Sequence, residues 1–428
     1  MRFMMYSCFL TMLIGGTIAA EGGSATKPAK PTQSPQVEAW KGPQKDFHLV
    51  EGKVFGEWWQ GGGLGVVYFT GPDAQKLGAF EEVGKKIAGR LGRPYLEIHK
   101  EQLLPNDEYL NGILAYPDGT ARVRLFLMPG GNGGKTACSI AGVTPGSTDA
   151  AKFDAGRKIP REAFRSGMGF VGTCGGCFIA TSGAAIPRAL FMEWGLWPGK
   201  FTNLGPGQHQ PFPDVVVDAA NKQHPLYKAT DRGMLKNMFF NGGPLDLESN
   251  VADTEYFGKY QGGNMPEIID HWFMIAYKPK DDGRCGRCVI STGHPEANNR
   301  NFFQAMCDYA VDREYEVPRT VLTSGTAMKG LCGDDQMQYF CVEAGQGGSK
   351  LTVTMSGLTA GCELYLRYKL PPTFAKYDKA TRKAKATELT LSLPTTKAGD
   401  YWIGVHGDHH VVAGASYEIT AVLESVQK

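Results

Sequence analysis

The chain reads as an α/β protein with a flavodoxin-like, mostly parallel sheet and helices on both faces, followed by an all-β sandwich. Three observations predict this. Apolar runs of strand length alternate with amphipathic runs of helix length between residues 64 and 315. Beyond Val317-Pro318, period-two alternation between turn signals replaces that pattern. Glycine is 56 of 428 residues, about 13% against the usual ~7%, with no G-X-Y period, so tight turns and close backbone approaches are frequent.

The elements follow in order. Residues 64–70 (LGVVYFT) form an apolar strand. In 74–92, Leu77, Phe80, Val83, Ile87 and Leu91 recur at helical spacing. Residues 95–99 and 122–128 are further strands, the latter running into Pro129-Gly-Gly-Asn-Gly-Gly134. A helix is expected over 150–166, interrupted by Pro160, and a strand over 168–173 leads straight into Cys174. The runs 215–217 and 238–240 are strand-like, 287–292 is a strand, and 299–315 is a helix with Phe302, Phe303, Met306 and Tyr309 on one face. In the sandwich, Leu351-Val353-Met355, Leu389-Leu391-Leu393, the 402–405 run and Tyr417-Ile419-Ala421-Leu423 alternate in and out. The domain partition is therefore a leader over 1–20, a linker over 21–47, an α/β domain over 48–317 and a sandwich over 318–428.

The leader carries Arg2, an apolar run over 3–14 and small residues ending in Ala19-Ala20, the form of a secretory signal peptide. The linker is rich in Pro, Lys, Ser, Gly and Gln and has little to bury. No later apolar run is long enough to span a bilayer, so a secreted or periplasmic protein is expected. The formal charge of +2 gives no sign of a nucleic-acid partner. Leaving out Cys8 of the leader, nine cysteines remain, an odd number that suggests one reactive thiol outside the cytoplasm. Setting that one aside leaves eight, enough for up to four disulfides. Cys285 and Cys288 are expected to form a local disulfide rather than half a zinc site, and Cys332 is expected to pair with Cys341. Asp408-His409-His410 reads as a solvated turn, and neither a metal nor a cofactor is implied.

The chemistry concentrates in three segments. Gly172-Thr-Cys174-Gly-Gly176 has the form of a nucleophile elbow: a strand turns sharply into a helix, and only small neighbours fit. The thiol then sits at a helix N-terminus, which favours the thiolate, and the Gly175 amide can face a developing oxyanion. Gly293-His294-Pro295-Glu296 follows a strand and supplies a base with an orienting carboxylate. Pro129-Gly-Gly-Asn132 ends a third strand, with glycines that let amides reach a substrate oxygen.

Together these motifs, with Phe239-Phe-Asn-Gly-Gly-Pro244, resemble the class I glutamine amidotransferase-like superfamily over roughly 64–315. Within it they look most like the biotin-protein ligase N-terminal domain. The resemblance implies Cys174 as nucleophile, His294 as base, Glu296 as its partner, and Gly131, Asn132, Gly175, Asn241 and Gly242 as oxyanion or substrate contacts. No ligase or synthetase domain accompanies them, so biotin transfer is not implied and water is the expected acceptor. Residues 320–428, with Glu363-Leu-Tyr-Leu-Arg367 and Ala398-Gly-Asp-Tyr-Trp-Ile-Gly-Val405, resemble the bacterial pre-peptidase C-terminal domain. That domain is a sandwich appended to secreted hydrolases, here expected to bind substrate or a cell-surface polymer. The expected activity is a cysteine-dependent amidase on a small amide or peptide. Two alternatives use the same residues: a binding protein with a vestigial triad, and a thiol-disulfide oxidoreductase using Cys174 and Cys177.

Overall fold

A computed structural model describes residues 46–56, 63–71, 74–75, 78–106, 109–144, 147–183, 193–311, 314–383, 386–407 and 414–425. The expected leader, most of the linker and the Asp408-His409-His410 turn lie outside the described residues. The described residues belong to one compact unit.

The central sheet has nine strands. Five are parallel, in the spatial order Tyr95–Ile98, Leu64–Phe69, Val123–Met128, Gly169–Thr173, Cys288–Ser291. Trp272–Tyr277, Thr254–Gln261, Asp214–Val216 and Met234–Leu235 then continue it antiparallel. The expectation of a mostly parallel sheet therefore holds for only one half. For the pairings of Trp272–Tyr277 with Thr254–Gln261 and with Cys288–Ser291 the cause is connection length. The segments 262–271 and 278–287 are too short for a crossover helix, and a parallel return needs a dozen or more residues. The 238–240 run is not a strand. Met238 and Phe240 are buried, but their backbone runs through a loop.

Strand alternation sorts the core into two faces. Val66, Tyr68, Leu125 and Leu127 meet helices Gly78–Leu91 and Arg300–Val311 through Phe80, Val83, Phe302 and Phe303. Val67, Phe69, Phe126 and Met128 face the other way, towards Ala150–Arg165 and Trp194. Helix Ala150–Arg165 continues through Pro160.

Two four-stranded antiparallel sheets follow, Met328–Cys332 with Ala415–Ser425, Ser349–Ser356 and Glu388–Leu393, and Met337–Ala344 with Gly399–Gly407, Cys362–Tyr368 and Lys379–Arg382. Tyr401, Ile403 and Val405 point into the core between them. Trp402 alternates outward, and with Met337, Tyr339, Cys341 and Tyr365 it joins the same hydrophobic cluster as Phe47, Ile113 and Phe126. Polar contacts ring this shared core. Asp118 accepts from Gln336 at 2.7 Å and Gln338 at 2.6 Å. Arg367 donates to both oxygens of Asp46, and buried Arg122 pairs with Asp334.

The nine described cysteines are all buried thiols, so the expected Cys285–Cys288 and Cys332–Cys341 disulfides are corrected. Strand alternation explains the second. Cys332 lies between the two sheets and donates to the Gln336 carbonyl at 3.3 Å, whereas Cys341 faces the shared core with Trp402.

Candidate active site

The ends of three adjacent parallel strands build the site. Met128 pairs with Gly172, and Thr173 pairs with Ser291, so the segments that follow each strand emerge side by side. Ligands of open α/β sheets gather beyond these carboxyl ends.

Cys174 leaves the Gly169–Thr173 strand and caps helix Gly175–Ala180 with φ 48° and ψ −104°. A non-glycine residue held there costs on the order of 1–3 kcal/mol and persists only where its surroundings enforce it. They do so tightly. The Cys174 amide donates to the Ser291 carbonyl at 3.0 Å. A Cβ at Gly176 would lie 2.3 Å from the Met128 carbonyl oxygen, so no larger residue fits. The turn is that of the expected elbow, although its helix has only six residues.

His294 follows the Cys288–Ser291 strand. Its amide donates to the Phe239 carbonyl at 2.9 Å, and its ring lies 5.0 Å from that of Phe239. Nδ1 is 2.8 Å from Glu296 Oε1, and the ring and Cys174 both lie against Gly130. Cys174, His294 and Glu296 are all buried, at 5%, 1% and 1% exposure. Burial alone would lower the imidazole's proton affinity. Hydrogen bonds to Cys174 and Glu296, and their charges, outweigh it and raise His294 from 6.5 to about 10. The structure thus brings together the three residues that the motifs single out.

The remaining predicted contacts divide. Gly131 has φ 123°, and a Cβ on Gly175 would lie 2.6 Å from the Gly131 carbonyl oxygen, so these two loops touch beside Cys174. The Asn132 side chain instead caps helix Gly133–Ile140, accepting from the Lys135 amide at 3.0 Å. The Asn241 carbonyl lies 3.5 Å from Cys174 Sγ. The Gly242 amide is already committed to the Pro206 carbonyl at 2.8 Å. Three further residues support the site in roles that the motifs do not assign. Thr173 donates to Glu296 Oε1 at 2.9 Å. Buried Tyr260 and Thr292 share a hydrogen bond of 2.9 Å beside Gly293. Only the position of Thr173, next to the cysteine, could have marked it in the sequence.

No family model matches the chain. Alkaline serine exoprotease A of Vibrio alginolyticus is 34% identical over 91 residues, which is 21% of this chain and 17% of that protein. The chain thus matches under a fifth of that relative's length. Among solved structures, a glutamine amidotransferase aligns over 58% of this chain and 99% of its own, at 16% identity and a TM-score of 0.34. The pre-peptidase C-terminal domain of a Bacillus anthracis collagenase aligns over 24% of this chain and 94% of its own, at 15% identity and a TM-score of 0.20.

Proposed function

We propose that this protein is an exported cysteine hydrolase of amide bonds, with its chemistry in residues 48–317. The observation that carries the proposal is the gathering of buried Cys174, His294 and Glu296 at adjoining strand ends, with Nδ1 of His294 2.8 Å from Glu296, the His294 ring and Cys174 both against Gly130, and the cysteine held at positive φ. Cys174 attacks the carbonyl carbon, and His294 holds the proton displaced from the thiol. The tetrahedral oxyanion meets the Gly175 amide, which as a first-turn group has no intrahelical acceptor. His294 then protonates the leaving amine, and the acyl-enzyme forms. Water, deprotonated by His294, attacks that thioester and releases the acid and the thiol. Glu296 orients the imidazole throughout. Export rests on the first twenty residues. No helix among the described residues is long and apolar enough to cross a membrane.

The test needs no known substrate. Iodoacetamide at neutral pH is expected to alkylate Cys174 ahead of the other eight thiols, read by peptide mass mapping. Uniform labelling would overturn the reading. The oxidoreductase alternative needs Cys177 as a second reactive thiol. Cys177 is fully buried, and desolvation pushes its thiol well above the ordinary range.

Two further results are expected. A Cβ at Gly130 would lie 2.6 Å from His294 Cε1 and 3.3 Å from the Cys174 Cβ. Gly130→Ala should therefore displace the imidazole and slow Cys174 alkylation by roughly 100-fold, with the far-UV spectrum unchanged. A parental rate would show that the ring does not serve the thiol. The second concerns pH. His294 gains proton affinity on folding, so its contribution to stability is fully present below about pH 6.5 and is lost as pH rises through about 10. Urea midpoints of the parent should fall over that window more steeply than those of His294→Gln. Parallel curves would refute the assignment.

A further inference from the structure

We propose that Thr173 is a positioning residue that locks Glu296, and through it His294; this rests on the hydrolase reading above. Thr173 is the last residue of its strand and is fully buried. Its hydroxyl donates to Glu296 Oε1 at 2.9 Å, the same oxygen that lies 2.8 Å from His294 Nδ1. Glu296 Oε2 is buried with no hydrogen-bond partner among the described residues.

A buried carboxylate is costly unless hydrogen-bonded, and here both bonds converge on one oxygen. Thr173 supplies one of the two. The terminal torsion of a glutamate is broad, so one donor leaves the carboxylate free to turn, whereas two donors from different directions fix its plane. Position adds to this. Thr173 precedes Cys174 directly and pairs in register with Ser291, three residues before His294. The hydroxyl therefore ties the strand that carries Cys174 to the carboxylate that holds the His294 ring. Nucleophile and base are held in one frame by a residue that touches neither substrate nor thiol.

Packing alone would also bury a threonine here, and two substitutions separate the roles. Thr173→Val keeps the shape and loses the hydroxyl; Thr173→Ser keeps the hydroxyl and loses a methyl. The readouts are the pH profile of Cys174 alkylation by iodoacetamide and the proton NMR resonance of His294 Nδ1–H. Without the hydroxyl, Glu296 can turn away from Nδ1, the imidazolium loses its oriented counter-charge, and the thiolate loses its partner. Thr173→Val is expected to move the half-maximal pH up by about one unit and to slow alkylation at pH 7 about tenfold, with a displaced Nδ1–H resonance. Thr173→Ser should stay within about twofold of the parent. A folded Thr173→Val with parental profile and resonance would overturn the proposal, as would a Thr173→Ser defect equal to that of Val. Should the valine variant not fold, Thr173→Ala against Thr173→Ser makes the same comparison. His294→Ala keeps the two readings apart: if it alkylates like the parent, the triad itself fails, whatever Thr173 does.

Discussion

Cys174→Ala is expected to remove amide hydrolysis altogether, by at least about 10³-fold against any amide that the parent cleaves. The size follows from where the sulfur sits. Cys174 lies beside the His294 ring against Gly130, next to Gly175, which packs on the Gly131 backbone. Cys174→Ser should fall nearly as far. A hydroxyl gives up its proton far less readily than a thiol, so the pairing that holds His294 protonated is not recreated. The measurement is release of amine from a panel of peptides, p-nitroanilides and small primary amides, by parent and variants. Equal turnover by parent and Cys174→Ala would end the hydrolase reading. Parental binding with no turnover of any amide would favour a binding protein that keeps the triad without using it.

The second large effect is expected far from the sulfur. Trp402 is 1% exposed and lies on the outward face of its strand, in the core that the sandwich shares with the α/β half. Trp402→Ala removes a large buried ring and should cost roughly 3–5 kcal/mol. Because Met337, Tyr339 and Trp402 pack in one cluster with Phe47, Ile113 and Phe126, the loss should not stay in the sandwich. Urea unfolding followed by alkylation of the buried sandwich thiols Cys332, Cys341 and Cys362 and of the buried thiols of the α/β half, separated by peptide mass mapping, should shift together. A variant in which only the sandwich signal moves would show that the two cores are separable. The indole N–H of Trp402 is buried with no acceptor among the described residues, so Trp402→Phe should lose less than its volume suggests.

The candidate site was legible because its chemistry is local. A strained nucleophile turn demands glycines around Cys174, and a base with its carboxylate two residues on fits at the end of one strand. Both constraints act over a few residues, so sequence carries them. The five parallel strands were legible for the same reason, since each apolar run and the helix after it is a local pattern. What escaped depends on contacts far apart in the chain. The antiparallel half of the sheet could have been read from the short segments 262–271 and 278–287, but nothing local states which strand lies beside which. The Thr173–Glu296 bond spans 123 residues. Cysteine pairing escaped because parity counts sulfurs and ignores faces. Cys332 and Cys341 are nine positions apart but lie on strands of different sheets, Cys332 pointing into the core between the sheets and Cys341 away from it. The cluster that unites Trp402 with Phe126 was hidden because each residue is an ordinary core residue of its own element.

The bond from the Cys174 amide to the Ser291 carbonyl has a consequence in time. That amide sits between two central strands of the sheet, so it meets water only when those strands part. Sheet centres open rarely, often only with global unfolding, whereas loops exchange their protons freely. In deuterium oxide the amide of Cys174 should therefore exchange among the slowest in the molecule, together with those of its own strand. The reactive sulfur would be carried by the least yielding stretch of backbone, and whatever motion admits a substrate must come from the loops around it.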